Sequence, residues 1–288
     1  MSTRNTKQSV PCLAVFLRLL PLGFSLMATE AFPQEAQPEA GGDEKSALPD
    51  AEDVADVPAE ECFAGGDEMR RYVLIGHDAQ RQAPQEGYGL LLVLPGGSGD
   101  IDFHPFVKRI HKNAVPEGFL TVQLVAPVWS ESQAKDLVWP TERQQPKEAK
   151  FTTEEFVSDV GKEVEEKLKV DRERVFTLTW SSSGPAAYAL SLHKKSPVTG
   201  SFVAMSVFKP ENLPSLSAAK GHAYYILHSP EDFIPISMAE KARDELKKKQ
   251  AKVEYRTYEG GHGWHGDVFG TIRDGVTWLE QNHAKVRK

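Results

Sequence analysis

Seven short segments recur along the chain: "RYVLIG", "GLLLVLPGG", "FLTVQLVAPVW", "RVFTLTW", "SFVAMSVF", "AYYILHS" and "VEYRTYEGG". Each is apolar and rich in β-branched or aromatic residues, the signature of a strand. A strand wetted on one face alternates apolar and polar side chains. These are apolar nearly throughout, so both faces must be covered. Between most of them lie stretches of helical period. The clearest is "FTTEEFVSDVGKEVEEKLKV". In it Thr152 and Glu155 stand at capping-box spacing, Phe151 and Phe156 at the positions of a hydrophobic staple, and Phe156, Val160, Val164 and Leu168 form one core stripe. Strands alternating with helices predict an α/β architecture, a mostly parallel central sheet with helices on both faces. In such sheets ligands bind beyond the carboxyl ends of the strands, so the residues that follow each strand are the candidates for function.

The first part of the chain has a different character. Arg4 and Lys7 lead into "VPCLAVFLRLLPLGFSLMA", which closes near Thr29-Glu30-Ala31. Residues 1–31 therefore read as a secretory signal peptide, and the protein is expected to be secreted or periplasmic. A retained membrane anchor is the competing reading. Arg18 and two prolines interrupt its apolar run, and an arginine at mid-bilayer is costly, so no stable membrane span is expected after cleavage.

Residues 32–61 continue an acidic, Ala- and Pro-rich stretch that holds eleven acids against the single base Lys45 from Glu30 to Glu61. Such a composition cannot bury enough apolar surface to offset its ordering entropy, and it predicts a disordered linker ahead of a folded domain over 62–288. The linker also accounts for the net charge of −7. From Cys62 onward the charges nearly balance, and the clustered basic face of a nucleic-acid-binding protein is missing. Cys12 falls in the signal segment and Cys62 stands alone after it, which leaves no disulfide for the mature chain and no cysteine-based metal site. Burial is the expected fate of Cys62.

Three serines sit between the strand "RVFTLTW" and the helical run "GPAAYAL". A sharp strand-to-helix turn projects one side chain over the sheet edge and needs small neighbours two residues away on either side. With Ser181 at the apex those neighbours are Thr179 and Ser183; with Ser182 they are Trp180 and Gly184. An indole fits that position badly, which favours Ser181. The plainer reading makes Ser183 an N-cap, with Gly184 and Pro185 opening the helix.

Company changes the balance. Asp232 follows the strand "AYYILHS" and His262 follows "VEYRTYEGG". A serine hydroxyl becomes a competent nucleophile when an imidazole takes its proton and a buried carboxylate orients that imidazole. The oxyanion formed on attack needs N–H donors. Gly97, in "LPGGSGD", and Ser182, which follows the nucleophile, are the candidates. The glycine-rich loop has no G-K-[ST] ending and no G-x-G-x-x-G spacing, which argues against a phosphate loop.

His262, His265 and Asp267 also form H-x-x-H-x-D, a possible metal-ligand pattern, but a metal reading leaves the serine corner unexplained and no metal is expected. His265 is assigned to the surface or to a supporting role, and His104 to a helix start.

"LLVLPGGSGD", "DRERVFTLTWSSSGPAAYA", "ILHSPEDFIPI" and "YRTYEGGHGW" together resemble the successive signature segments of α/β-hydrolases, closest to the phospholipase/carboxylesterase and dienelactone-hydrolase-like group, over about residues 70–285. The resemblance implies the α/β-hydrolase fold. Its D-x-x-R-V lead-in, laid on Arg174 and Val175, implies Ser181 as nucleophile. It implies Asp232 as the acid, with Glu231 the near miss, and His262 as the base. Thr179 and Ser183 stand where the family carries glycines, and Pro95 where many members carry a histidine.

The expected protein is a serine esterase that works without a cofactor on a small-molecule or oligomeric ester. A serine peptidase of the same fold and an inactive binding domain are the alternatives. The longest loop, Ser130 to Lys150, carries Trp139. This residue and Trp180 are the aromatic candidates for lining the substrate cleft. No long apolar lid is evident, which favours soluble or modest-sized esters.

Overall fold

A computed structural model describes residues 51–80 and 82–283. The expected signal segment, residues 1–31, and the linker as far as residue 50 lie outside the described residues. Among the described residues the eight strands are β1 (Ala59–Phe63), β2 (Arg71–Ile75), β3 (Tyr88–Leu94), β4 (Phe119–Leu124), β5 (Val170–Trp180), β6 (Gly200–Ala204), β7 (Ala223–His228) and β8 (Lys252–Thr257). The helices are α1 (His104–Ala114), α2 (Glu131–Asp136), α3 (Thr153–Lys167), α4 (Gly184–Leu192), α5 (Ile236–Lys248) and α6 (Val268–Asn282).

The strands form one sheet in the order β1-β2-β4-β3-β5-β6-β7-β8. The pairs β1–β2 and β2–β4 are antiparallel and the others are parallel. The alternation along β3 shows why its sequence is apolar throughout. Leu90, Leu92 and Leu94 pack into a layer with Phe156 and Val160 of α3, while Leu91 and Val93 pack on the other face with Val107 of α1 and Ile272 of α6. A third cluster joins α4 and α5 to Tyr224 and Ile226 of β7. Helix α3 begins as expected: the Glu155 amide donates to Thr152 Oγ1 at 3.2 Å, and the Thr152 amide donates to Glu155 Oε2 at 2.9 Å.

The linker expected over 32–61 ends too late. Residues Glu52–Val54 form a 3-10 turn and β1 begins at Ala59. Val54 and Val57 are buried in the layer beneath α1. The acids that read as disorder are held by basic residues of that helix: Arg109 donates to both oxygens of Asp53 at 2.7 and 2.8 Å, and Lys112 reaches Asp56 at 2.7 Å. The partners lie more than fifty residues away, so local composition cannot register them. Cys62, on β1, is buried as expected, and desolvation raises its thiol pKa.

A partly buried histidine and a buried one make the fold acid-sensitive. His111 packs against Gly76, where a Cβ would lie 2.1 Å from the ring, and hydrogen-bonds Thr121 at 3.0 Å. Burial pushes its pKa down from 6.5 to about 4. His222, beside Ser201, is pushed down to about 3 by the same cause. Both are neutral in the folded state at a pH where the unfolded chain binds a proton. Stability is therefore full above about pH 6.5 and falls as the pH drops from there through the folded values. Urea midpoints should fall between pH 7 and pH 4.5, and the fall should be shallower in His111→Phe, measured by tryptophan fluorescence.

Candidate active site

The parallel strands deliver their following loops to one edge of the sheet, and the site is assembled there. Ser181 opens a 3-10 turn, Ser181–Ser183, straight after β5. Its φ is +55°, the left-handed region that an L-residue enters only at a cost of order 1–3 kcal/mol when its surroundings impose it.

The surroundings here are hydroxyl groups. Ser183 is fully buried; its Oγ accepts the Trp180 N–H at 3.0 Å and donates to the Leu94 carbonyl at 2.6 Å, joining the turn to the end of β3. Thr179 is fully buried as well, and its Oγ1 donates to the Phe202 carbonyl of β6 at 3.0 Å. Ser206, just beyond β6, donates to the Ser181 carbonyl at 2.6 Å. The two positions where the resembling family carries glycines thus hold small side chains that fasten the corner to both neighbouring strands. Ser183 does not cap α4 through its side chain. Close approach instead demands a glycine one position later, at Gly184, where a Cβ would lie 2.1 Å from Ser206 Oγ.

Two further loops complete the arrangement. His262 Nε2 lies 2.9 Å from Ser181 Oγ, and His262 Nδ1 lies 2.9 Å from each oxygen of Asp232. A carboxylate only accepts, so Nδ1 carries the hydrogen and Nε2 turns a lone pair to the serine. The Asp232 side chain is wholly buried and also accepts the Ile234 N–H at 2.8 Å. Glu231, the neighbouring acid, is exposed.

The Asp232 and His262 loops are tied together, because Ser229 donates to the Gly260 carbonyl. His228 steadies the acid loop by donating from Nε2 to the Ile234 carbonyl at 2.9 Å. Phe233 lies over the His262 ring with centroids 4.3 Å apart, and is 62% exposed. Ser206, His228 and Phe233 escaped sequence reasoning. The available signal was position, since each lies at or just beyond the carboxyl end of β6 or β7.

The glycine-rich loop lies against the serine turn. Ser182 donates from Oγ to the Gly97 carbonyl at 2.9 Å, and a Cβ at Gly96 would come within 2.5 Å of Trp180. Gly97 has a φ of +58°. Trp139 is buried beneath the same loop and donates from Nε1 to the Pro95 carbonyl at 3.0 Å. It also forms part of the wall of a cavity of about 240 Å³ that Ser182, Pro185, Tyr188 and Leu213 line.

Trp180 does not reach that cavity, which corrects its expected place in a substrate cleft. Its ring is buried on the other face of the sheet, edge-on to Phe103, Phe106 and Trp264 at 5.6, 5.9 and 5.8 Å. Side chains alternate along a strand, so the residue before Ser181 is turned away from the site. His104 opens α1, buried, with Nδ1 3.0 Å from the Gln123 side-chain oxygen. Of the H-x-x-H-x-D residues, His265 stacks on Tyr258 at 6.0 Å and Asp267 caps α6 by accepting the Gly270 N–H at 2.9 Å.

No family model matches the chain, and no curated protein does. Solved structures do. An α/β hydrolase enzyme from a Medee basin deep-sea metagenome library superposes with a TM-score of 0.53 at 14% identity, over 78% of this chain and 94% of its own. The chain has the α/β-hydrolase fold. S-formylglutathione hydrolase from Staphylococcus aureus shares this fold with a TM-score of 0.56 at 12% identity, over 77% of this chain and 96% of its own. Acylaminoacyl peptidase from Pyrococcus horikoshii matches with a TM-score of 0.50 at 13% identity, over 76% of this chain and 40% of its own. Within the α/β-hydrolase fold the Ser181 turn and the Asp232 and His262 loops of this chain follow β5, β7 and β8.

The serine turn gives a direct test. Ser183→Ala leaves the buried Trp180 N–H without its acceptor, a loss of about 1–3 kcal/mol. Chemical denaturation should show a lower midpoint. Gly184→Ala should lower it too, since its Cβ has no room beside Ser206.

Proposed function

We propose that the protein is an exported serine hydrolase that cleaves carboxylic esters through an acyl-enzyme intermediate. The observation that carries this reading is Ser181 Oγ at 2.9 Å from the Nε2 of an imidazole whose other nitrogen faces the buried Asp232. Structural likeness to hydrolases supports it. Support for export is the sequence of residues 1–31.

In this mechanism Ser181 Oγ attacks the ester carbonyl as His262 Nε2 takes its proton, and Asp232 stabilises the imidazolium. The carbonyl oxygen becomes an oxyanion, and the N–H groups of Gly97 and Ser182 are assigned to receive it. The intermediate collapses, the C–O bond to the alcohol breaks, and Nε2 returns its proton to the departing oxygen. Water then attacks the acyl-enzyme with His262 again as base, releasing the acid and restoring the serine. The side chains supply every proton transfer, so the reaction needs no cofactor.

A fluorophosphonate should label Ser181, located by peptide mass spectrometry. Absence of labelling in the folded protein would favour a binding domain. Ser181→Ala should lower ester turnover by about 10⁴-fold or more with little loss of stability, whereas Ser182→Ala should keep substantial activity. The reverse pattern would move the nucleophile to Ser182. The rate should fall toward acid, because a proton on Nε2 removes the base.

A peptidase of the same fold is the second reading, favoured by the likeness to acylaminoacyl peptidase. Paired esters and amides of one acyl group separate the two readings, and the ester is expected to be the better substrate.

A further inference from the structure

The two sides of the scissile bond meet different surroundings. A departing alcohol takes its proton from His262 Nε2, so it lies on the His262 side, where Phe233 covers the imidazole. The cavity beside Ser182 is lined by neither His262 nor Asp232. It therefore belongs to the acyl part. Its volume of about 240 Å³ is below the roughly 300–1,000 Å³ of sites for drug-sized ligands, which suits a short acyl chain.

The lining is apolar where Val138, Trp139, Tyr188 and Leu213 form it, and polar where Lys135, Lys209, Gln144 and Asn212 do. Lys135 lies in α2, and Lys209 follows β6. Among the described residues neither ammonium group forms an ion pair, whereas Lys162 pairs with Asp159 and Lys248 with Glu245 elsewhere on the protein. Asp136 is also in the lining, so the cavity keeps an excess of one positive charge. An apolar lining that also carries two exposed lysines is complementary to a group that combines a hydrocarbon chain with a negative charge.

Resting on the reading of Ser181 as an ester-cleaving nucleophile, we propose that this cavity selects acyl groups that end in a carboxylate, so that the preferred substrates are half-esters of short dicarboxylic acids. The free carboxylate pairs with Lys135 and Lys209, and the esterified carbonyl is presented to Ser181. The acyl-enzyme is then a half-acylated serine, and water releases the dicarboxylic acid from it.

The test compares 4-nitrophenyl hemiglutarate with the neutral 4-nitrophenyl pentanoate on the full chain, subtracting the rate of S181A to remove self-hydrolysis. Exposed ion pairs contribute modestly, so kcat/KM should favour the half-ester by about fivefold at low salt. The preference should shrink at 0.5 M salt, where screening is strong. In the K135Q/K209Q double variant the ratio of the two kcat/KM values should fall to about one.

Equal or better use of the neutral ester by the unaltered protein would overturn this proposal and leave the esterase reading standing. So would a preference that survives in the double variant. If neither ester is turned over and fluorophosphonate does not label Ser181, the esterase reading itself fails.

Discussion

The left-handed turn at Ser181 is the constraint on which the site depends. Left to itself, a serine prefers other backbone conformations, and the energy that holds it must come from outside the turn. It comes from short hydroxyl bonds: Ser183 to the end of β3, Thr179 to β6, and Ser206 to the carbonyl of Ser181. Each bond links the turn to a neighbouring parallel strand, so the sheet's own register fixes the direction in which Ser181 Oγ points. A glycine at either flank, Thr179 or Ser183, would remove one of these ties. The chain has solved the crowding at the corner with polar contacts where the resembling family uses the absence of a side chain.

The same logic extends to Asp232 and His262. Asp232 and His262 lie on loops after β7 and β8, which pair in parallel from Ala223↔Lys252 to His228↔Thr257. Their loops therefore leave the sheet side by side. The Ser229 hydroxyl on the Gly260 carbonyl and the Ile234 amide on Asp232 convert this proximity into a fixed hydrogen-bond chain. Burial of the Asp232 carboxylate keeps water from competing for the imidazole, which strengthens the interaction that sets the tautomer. Phe233 adds an exposed aromatic cover over the imidazole.

Much of this is legible in the sequence alone. The seven apolar segments correspond to β2 through β8, and the capping box at Thr152 is present atom for atom. β3, β4, β6 and β7 are readable because burial on both faces leaves a continuous apolar run, β8 through its β-branched and aromatic residues alone, and the helix because its cap and stripe are local. β1 escaped, since "AEECF" is an edge strand with only Cys62 fully buried. The early residues 51–58 escaped for another reason. Their acids are paired with Arg109 and Lys112, which are far along the chain. Trp180 was misplaced because an aromatic residue next to a candidate nucleophile suggests a cleft, whereas strand alternation turns it to the opposite face.

The sequence by itself determined the fold class and the kinds of side chain waiting after each parallel strand. Both follow from short-range patterns, because strand burial and turn chemistry are encoded within a few residues. Only the tertiary structure decided that Ser181, His262 and Asp232 meet at hydrogen-bonding distance, that Ser183 braces the turn instead of capping a helix, and that Trp139 borders the cavity while Trp180 packs on the opposite face of the sheet. Those outcomes depend on contacts between segments brought together by sheet pairing, such as the bond from Ser183 to Leu94 across 89 residues of chain. No local pattern specifies such a contact; it exists only once the strands are in register.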